Sequence, residues 1–298
     1  ARRSEGGISV MTWISLIGIA LAVFALIATL AVRSGFRSEF VDTILGANAH
    51  VAVYSPLRVD EFGKTTRLIA DYDEMAERVR AVDGVVRVAP ILKGEVLASL
   101  RNRSAGVQIY GMSPNDLLSL PGMVNSDQAI GDINRFGEGL AIGSGVARQL
   151  GAGLGDRIKI LSPDGVKTAF GTSPRVKTYE ITYIFSLGRY DIDRVRIYMP
   201  LTEAQSFFNA EERVEELEVM VDRPELIEQY ELPILRAAGT DAILWTWQDS
   251  SGSFLRALEV EDNVMFIILS ILVLIATMNI VSGLIMLVKN KGRDIGIL

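Results

Sequence analysis

The chain contains no cysteine and a single histidine, His50. Disulfide frameworks, thiolate metal sites and cysteine nucleophiles are excluded. One histidine cannot supply a His-based metal cluster or a Ser-His-Asp triad, so His50, near a strand start, reads as solvated or hydrogen-bonded. Positive charge is also short, with 30 Lys and Arg against 36 Asp and Glu and a net charge of −6. No basic stripe is left to neutralise phosphates, and nucleic acid is not expected as a partner. Gly143-Ser144-Gly145 has no Gly-Lys-Ser/Thr after it, which makes it a turn between a strand and a short helix instead of a phosphate loop. Glu211, Glu212, Glu215, Glu216 and Glu218 read as a solvated acidic face. No catalytic constellation emerges, and a non-catalytic protein with no cofactor and no metal site is expected.

What the chain does have is length in its apolar runs. Ile8 to Val32 and Val264 to Val288 each hold 25 residues without Asp, Glu, Lys or Arg. About 20 helical residues cross a hydrocarbon core of roughly 30 Å, so both are read as retained membrane spans around a folded middle. The overall hydrophobic share of 49% and charged share of 22% leave that middle ordinary enough to fold in water. Arg2 and Arg3 precede the first run, and Lys289, Lys291 and Arg293 follow the second, whereas the inner flanks mix both signs. This bias places the termini in the cytoplasm. The chain opens without Met and stops inside the apolar pattern of GRDIGIL, which reads as a piece of a longer polypeptide.

Past Val32 a helical spacing continues through Phe36, Phe40 and Ile44 until Gly46, and Asp249 or Ser250 can cap a helix that carries Phe254, Leu255 and Leu258 on one face. Two stalks joining domain and membrane are expected. His50 to Tyr54 reads as a strand, Tyr72 to Val82 as an amphipathic helix, and Val85 to Ala98 and Gly106 to Tyr110 as strands. Leu217 to Val221, Pro224 to Ala238 and Ala242 to Trp247 repeat the strand, helix, strand recipe. The expected fold class is α+β: a ferredoxin-like layer split by an inserted, mostly β subdomain and flanked by two transmembrane helices. Expected boundaries are 1–46 for the first helix and stalk, 47–116 and 206–248 for the halves of the α+β layer, and 117–205 for the insertion. Residues 249–288 form the second stalk and helix, and 289–298 a cytoplasmic start.

Two details bear on partners. Gly18, Ala22, Ala25 and Ala28 leave a small-residue face that admits another helix, and Thr277, Asn279 and Ser282 offer interhelical hydrogen bonds within the second run. In the insertion, Pro163-Asp164-Gly165 and Gly171 to Pro174 supply turn chemistry around Phe170. That loop is either a docking element or an ordinary hairpin loop whose Phe170 folds back on its sheet.

WISLIGIALAVFALIATLAVRSGFRSEFVDTILGANAHV, EDNVMFIILSILVLIATMNIVSGLIMLVKNKGRDIGIL and LAIGSGVARQLGAGLGDRIKI together resemble LolC/LolE-type permeases, the membrane subunits of the lipoprotein-releasing ABC transporter, within the superfamily that includes the MacB and FtsX permeases. The resemblance implies a MacB-like periplasmic domain, a bacterial inner-membrane location, and a chain equivalent to the first half of a four-span permease. Implied partners are an ABC ATPase subunit, a second permease subunit, a periplasmic lipoprotein chaperone, the acylated lipoprotein substrate and membrane lipid. Lys291, Arg293, Asp294, Ile295, Ile297 and Leu298 match the start of a coupling element that rests on the ATPase. Phe170, Gly171, Thr172, Ser173, Pro174 and Arg175 lie where LolC-type members carry a chaperone-gripping hook that LolE-type members lack. Leu30, Phe36 and Phe40, with Met265, Phe266 and Leu269, are the candidates for lining an acyl-chain slot, or they pack helix on helix. A MacB-type efflux permease, an FtsX-like regulator of cell-wall hydrolases and a two-span receptor remain as alternatives.

Overall fold

The structure is a computed structural model that describes residues 13, 16–18, 20–21, 23–35, 49–59, 65–120, 122–124, 128–168 and 171–295. In chain order, an apolar helix α1 (Leu16–Gly35) precedes β1 (Val51–Tyr54), the two-residue strands β2 (Arg58–Val59) and β3 (Thr65–Thr66), and helix α2 (Tyr72–Arg80). Long strands β4 (Val85–Leu100) and β5 (Arg103–Met112) follow, then α3 (Pro114–Leu118), β6 (Ile130–Gly131), a 3-10 turn over Ile133–Glu138, β7 (Leu140–Gly143) and α4 (Ser144–Leu150). Next come the paired strands β8 (Arg157–Thr168) and β9 (Gly171–Phe185), with α5 (Tyr190–Asp193), β10 (Arg196–Pro200) and α6 (Leu201–Phe208) behind them. Last are β11 (Glu216–Val221), α7 (Glu228–Ala238), β12 (Ile243–Thr246), α8 (Trp247–Ser250) and helix α9 (Gly252–Ile295). The chain divides into two compact units, residues 44–250 and the apolar helices within residues 1–43 and 251–298.

In the 44–250 unit, β12, β1, β11 and the first part of β4 lie side by side in that order, every neighbouring pair antiparallel. Counted along the chain this is the order four, one, three, two of a ferredoxin-like layer built from two βαβ halves. Alternation explains the face that is buried: Val51 and Val53 of β1 and Leu217 and Val219 of β11 are fully enclosed. Helix α2 packs on β4 and on α7, and α7 packs on β12. Its buried residues Ala76 and Val79 lie three apart, which is the spacing of one helical stripe.

Strand β4 is shared between two pairings. From Val85 to Ile91 it pairs with β11, and from Leu92 to Leu100 with β5, while Leu97 to Ser99 also pair with β8. Pro90 has no N–H to give and sits in the stretch where β4 has a partner on one side alone. Strand β5 pairs in parallel with β10, which in turn pairs with β7. The strand following β4 therefore joins the sheet of the insertion, although its sequence position suggested the first α+β half. Local order could not reveal this, because the partner lies 88 residues on at Ile197↔Ile109. One core fills the α4 and α6 side with Val107, Ile109, Ile142, Ile158, Ile160 and Ile181. A second, on the opposite side, gathers Ile91, Met112, Phe136, Phe185 and Tyr198.

The apolar helices α1 and α9 contain the two segments long and apolar enough to cross a membrane, Leu16–Gly35 and Leu255–Ile285. Helix α9 has 44 residues, about 66 Å at 1.5 Å per residue, so one unbroken helix covers a bilayer core and continues beyond it. It starts at Gly252, after Asp249 has been spent elsewhere. Asp249 Oδ2 accepts from the Thr246 amide at 2.9 Å while Thr246 Oγ1 accepts from the Asp249 amide at 3.2 Å, a reciprocal cap on α8. Inside α9 the hydroxyls of Ser270 and Thr277 donate to the carbonyls of Phe266 and Val273 one turn back, at 2.7 and 2.8 Å. The Thr277 hydroxyl thus has an acceptor within its own helix, the nearest one available in lipid.

Candidate functional site

Three places carry chemistry: the helix pair, the β8–β9 hairpin, and the junction of the sheets in the 44–250 unit. In the helix unit, the half-covered residues of α1 include Leu26, Thr29 and Arg33, and those of α9 include Leu255, Leu258, Asp262, Met265, Leu269 and Ala276. Each set follows a spacing of three and four, one stripe per helix. The Arg33 guanidinium donates to and pairs with the Asp262 carboxylate, joining the two stripes. Of the expected slot residues, Met265 and Leu269 fall on this stripe, whereas Leu30 and Phe266 point outward with 43% and 72% of their surface exposed. Phe36 and Phe40 lie outside the described residues. Gly18 and Ala25 of the small-residue face are exposed.

The hairpin is longer than its turn residues suggested. Strands β8 and β9 stay paired out to Thr168↔Gly171. Pro163-Asp164-Gly165 makes no loop; between Ser162↔Arg175 and Val166↔Ser173 three residues of β8 stand against one of β9, a bulge. Gly171 and Thr172 belong to β9, Ser173 and Pro174 are exposed, and Phe170 lies outside the described residues. Arg175 is engaged: its Nη1 donates to the Ser206 carbonyl at 3.1 Å and to the Phe207 carbonyl, both in the last turn of α6, where the Ser206 carbonyl also accepts from the Asn209 amide at 3.4 Å. Nearby, Lys177 Nζ and Tyr179 Oη share Glu203 Oε1 at 2.6 and 2.7 Å. Burial, then that hydrogen bond, pushes the Tyr179 phenol well above its usual range. Beside this root, Leu97, Leu161 and Val176 stand abreast across β4, β8 and β9, next to a groove of about 510 Å³ that Leu97, Leu161, Pro163 and Val195 help to line.

Arg175→Ala should release the hairpin root from α6, since two carbonyls lose a charged donor. A loss of about 1.5 kcal/mol is expected, read as roughly tenfold faster amide exchange along residues 171–176 with the far sheet unchanged.

At the junction, Lys93 Nζ contacts Glu216 Oε1, lies 3.7 Å from Glu218 and sits 4.8 Å from the centre of the Tyr110 ring. Arg196 lies 4.1 Å over the same ring and donates to the Tyr110 and Tyr198 hydroxyls at 3.2 and 3.3 Å. Burial works to lower the Lys93 pKa, but the carboxylates of Glu218 and Glu216 outweigh it and hold the ammonium above its ordinary range. Burial and Glu216 likewise push Tyr54 upward. Glu216 and Glu218 keep only 1% and 8% of their surface, so they are not part of a solvated acidic face; Lys93 of the neighbouring β4 lies against both. His50 is buried and its Nδ1 accepts from the Val221 amide at 3.0 Å. Among the described residues no three His, Asp or Glu side chains gather into a metal-binding group. Lys291, Arg293, Asp294 and Ile295 fall at the end of α9, and Ile297 and Leu298 lie outside the described residues.

A folded α+β unit flanked in sequence by two helices long and apolar enough to cross a membrane defines the class of a membrane-anchored protein. Residues 12–234 match the MacB-like periplasmic core domain. The chain belongs to that family, as a LolC/LolE-type permease of the MacB and FtsX superfamily. It is 27% identical to the lipoprotein-releasing system transmembrane protein LolC of Neisseria meningitidis serogroup B, over all of this chain and 70% of that one. It is 26% identical to the corresponding LolE of Haemophilus influenzae, over 95% of this chain and 67% of that one. The crystal structure of the periplasmic region of MacB from Actinobacillus actinomycetemcomitans superposes with a TM-score of 0.44 at 10% identity, over 72% of this chain and 95% of that one.

Proposed function

We propose that this chain is the permease subunit of an ABC transporter that extracts acylated lipoproteins from the outer leaflet of the bacterial inner membrane and hands them to a periplasmic chaperone. What supports the reading is that relatives named for lipoprotein release align along the whole of this chain, both apolar helices included. ATP is hydrolysed by a partner subunit reached through Lys291, Arg293, Asp294, Ile295, Ile297 and Leu298, and a second permease subunit completes the membrane part. The spans lie in the inner membrane with the 44–250 unit in the periplasm.

The physical task sets the mechanism. Each buried CH₂ of an acyl chain contributes about 0.8 kcal/mol, so three chains amount to roughly 30 kcal/mol. Such chains cannot be passed through water; they move from one apolar surface to another. Leu30 and Phe266 on the outer faces of the helices, with Met265, Leu269, Phe36 and Phe40, provide the first surface. The chaperone docks on the hairpin through Phe170, Gly171, Thr172, Ser173 and Pro174, with the Leu97, Leu161 and Val176 row as its apolar seat and Arg175 as the anchor behind it.

The double variant Phe36→Glu, Phe40→Glu tests this. Two carboxylates in an acyl path cost on the order of 5 kcal/mol, so lipoproteins should accumulate in the inner membrane while the complex still assembles with its ATPase. Normal lipoprotein release from a correctly assembled variant would remove the slot from the mechanism.

A further inference from the structure

Arg33 immediately follows the first apolar run and Asp262 stands two residues before the second. Arg33 and Asp262 therefore stand at the ends of the two runs that are joined in sequence by residues 44–250. Each belongs to the half-covered stripe of its helix, and they are paired with each other. Below them those stripes are apolar or small: Leu26 and Thr29 on α1, Met265, Leu269 and Ala276 on α9. The pair is thus a charged contact set among half-covered side chains that are otherwise mostly apolar or small, with Leu255 and Leu258 on its far side along α9. Small apolar contacts in lipid gain little from a hydrophobic effect, because the surrounding acyl chains are equally apolar. An ion pair at a membrane boundary is different, since its strength rises as water thins out and falls when water or a headgroup solvates the partners.

We propose that Arg33 and Asp262 form a releasable clip that holds the outer ends of α1 and α9 together, and that its opening admits an acyl chain between them. The second half of this statement rests on the lipoprotein-releasing reading; the first does not. With the clip closed, Met265 and Leu269 are half-covered. With it open, the same two side chains become apolar surface, next to the outward-facing Leu30 and Phe266, for a chain lifted from the outer leaflet. Phosphate-bearing or zwitterionic lipid headgroups at that depth carry the charges that compete for either partner, so the substrate's own surroundings can unlock it.

Residues 1–298 contain no cysteine, so none within this segment competes with introduced ones. In the full-length permease within its membrane complex, cysteines placed at Thr29 and Met265 report helix proximity through the rate of cross-linking by a short bifunctional reagent. Arg33→Asp or Asp262→Arg alone should slow cross-linking about three- to tenfold, the range of interhelical polar couplings in membranes. The exchange Arg33→Asp with Asp262→Arg should restore it, because a clip needs opposite charges and not a particular side. Photo-reactive triacylated peptide in the same vesicles should label α9 more strongly in the single variants than in the exchange variant. Unchanged cross-linking in the single variants, or no recovery on exchange, overturns the clip. Recovery of cross-linking with labelling equal in all variants overturns its gating role. If no variant, the unmodified complex included, takes up the acylated peptide while the exchange still rescues cross-linking, the clip stands and the lipoprotein reading fails.

Discussion

Lys93→Met is expected to destabilise the 44–250 unit by about 3 kcal/mol. Methionine keeps the apolar stem and the volume, and only the ammonium is removed. That ammonium is what faces Glu216 and Glu218, two carboxylates with 1% and 8% of their surface exposed. Without it they remain in a poorly hydrated seam between β11 and β4 with like charges on alternate residues of one strand, and removing one partner of a buried pair costs more than the pair contributed. For a unit of this size the change corresponds to roughly 6–12 °C in Tm. The pH dependence has a definite sign. The folded-state pKa of Lys93 lies above its ordinary value of 10.5, so its contribution is fully present below that value and is lost only as pH rises further. Urea unfolding of the parent should therefore show no Lys93-linked slope across the neutral range. Lys93→Met combined with Glu216→Gln and Glu218→Gln should recover most of the loss; a single variant within about 0.5 kcal/mol of the parent would mean that water reaches the seam.

Gly143→Ala should be as damaging for a different reason. A Cβ at this position would stand 2.2 Å from the Asp193 carbonyl oxygen and 2.8 Å from its carbon. Both are backbone atoms, and the Asp193 side chain is itself tied down, its Oδ1 accepting from the Leu187 amide at 3.0 Å. Gly145 meets the same wall, 2.7 Å from Arg194 Cα. The Gly-Ser-Gly turn thus exists so that the start of α4 can lie against α5 and the strand that follows. Forcing even one methyl group in should cost about 3 kcal/mol or more, visible as a fall in Tm and loss of folded protein on expression. Ser144→Ala, beside it and with room, serves as the comparison and should stay within about 1 kcal/mol.

These two sites show which parts of the molecule sequence patterns disclose. The apolar runs, the two βαβ halves and the strand-turn-helix at Gly143 follow from local periodicity, and each appears in the structure near its expected position. What local periodicity does not carry is partnership. Glu216 and Glu218 alternate with Leu217 and Val219 as a half-exposed strand would, yet both are buried, with Lys93 of β4 set against them. Pro163-Asp164-Gly165 has the composition of a turn but is a bulge, because the flanking strands keep pairing for several residues beyond it. The resemblance places Arg175 among the hook residues, and only the long-range approach of α6 turns it into an anchor. Arg33 and Asp262 were visible as flanking charges; that they meet depends on the helices standing side by side, which spacing alone does not specify.

One strand gives the head its mechanical character. The 16 residues of β4, about 50 Å along their contour, are hydrogen-bonded to β11 at one end and to β5 and β8 at the other. Neither half can be displaced without pulling this common beam, so a torque applied at one end arrives at the other with little slack. The hairpin grows from the β8 and β9 margin of that beam, like a tool bit held in a fixed shank. A change confined to the hairpin tip leaves that shared pairing in place.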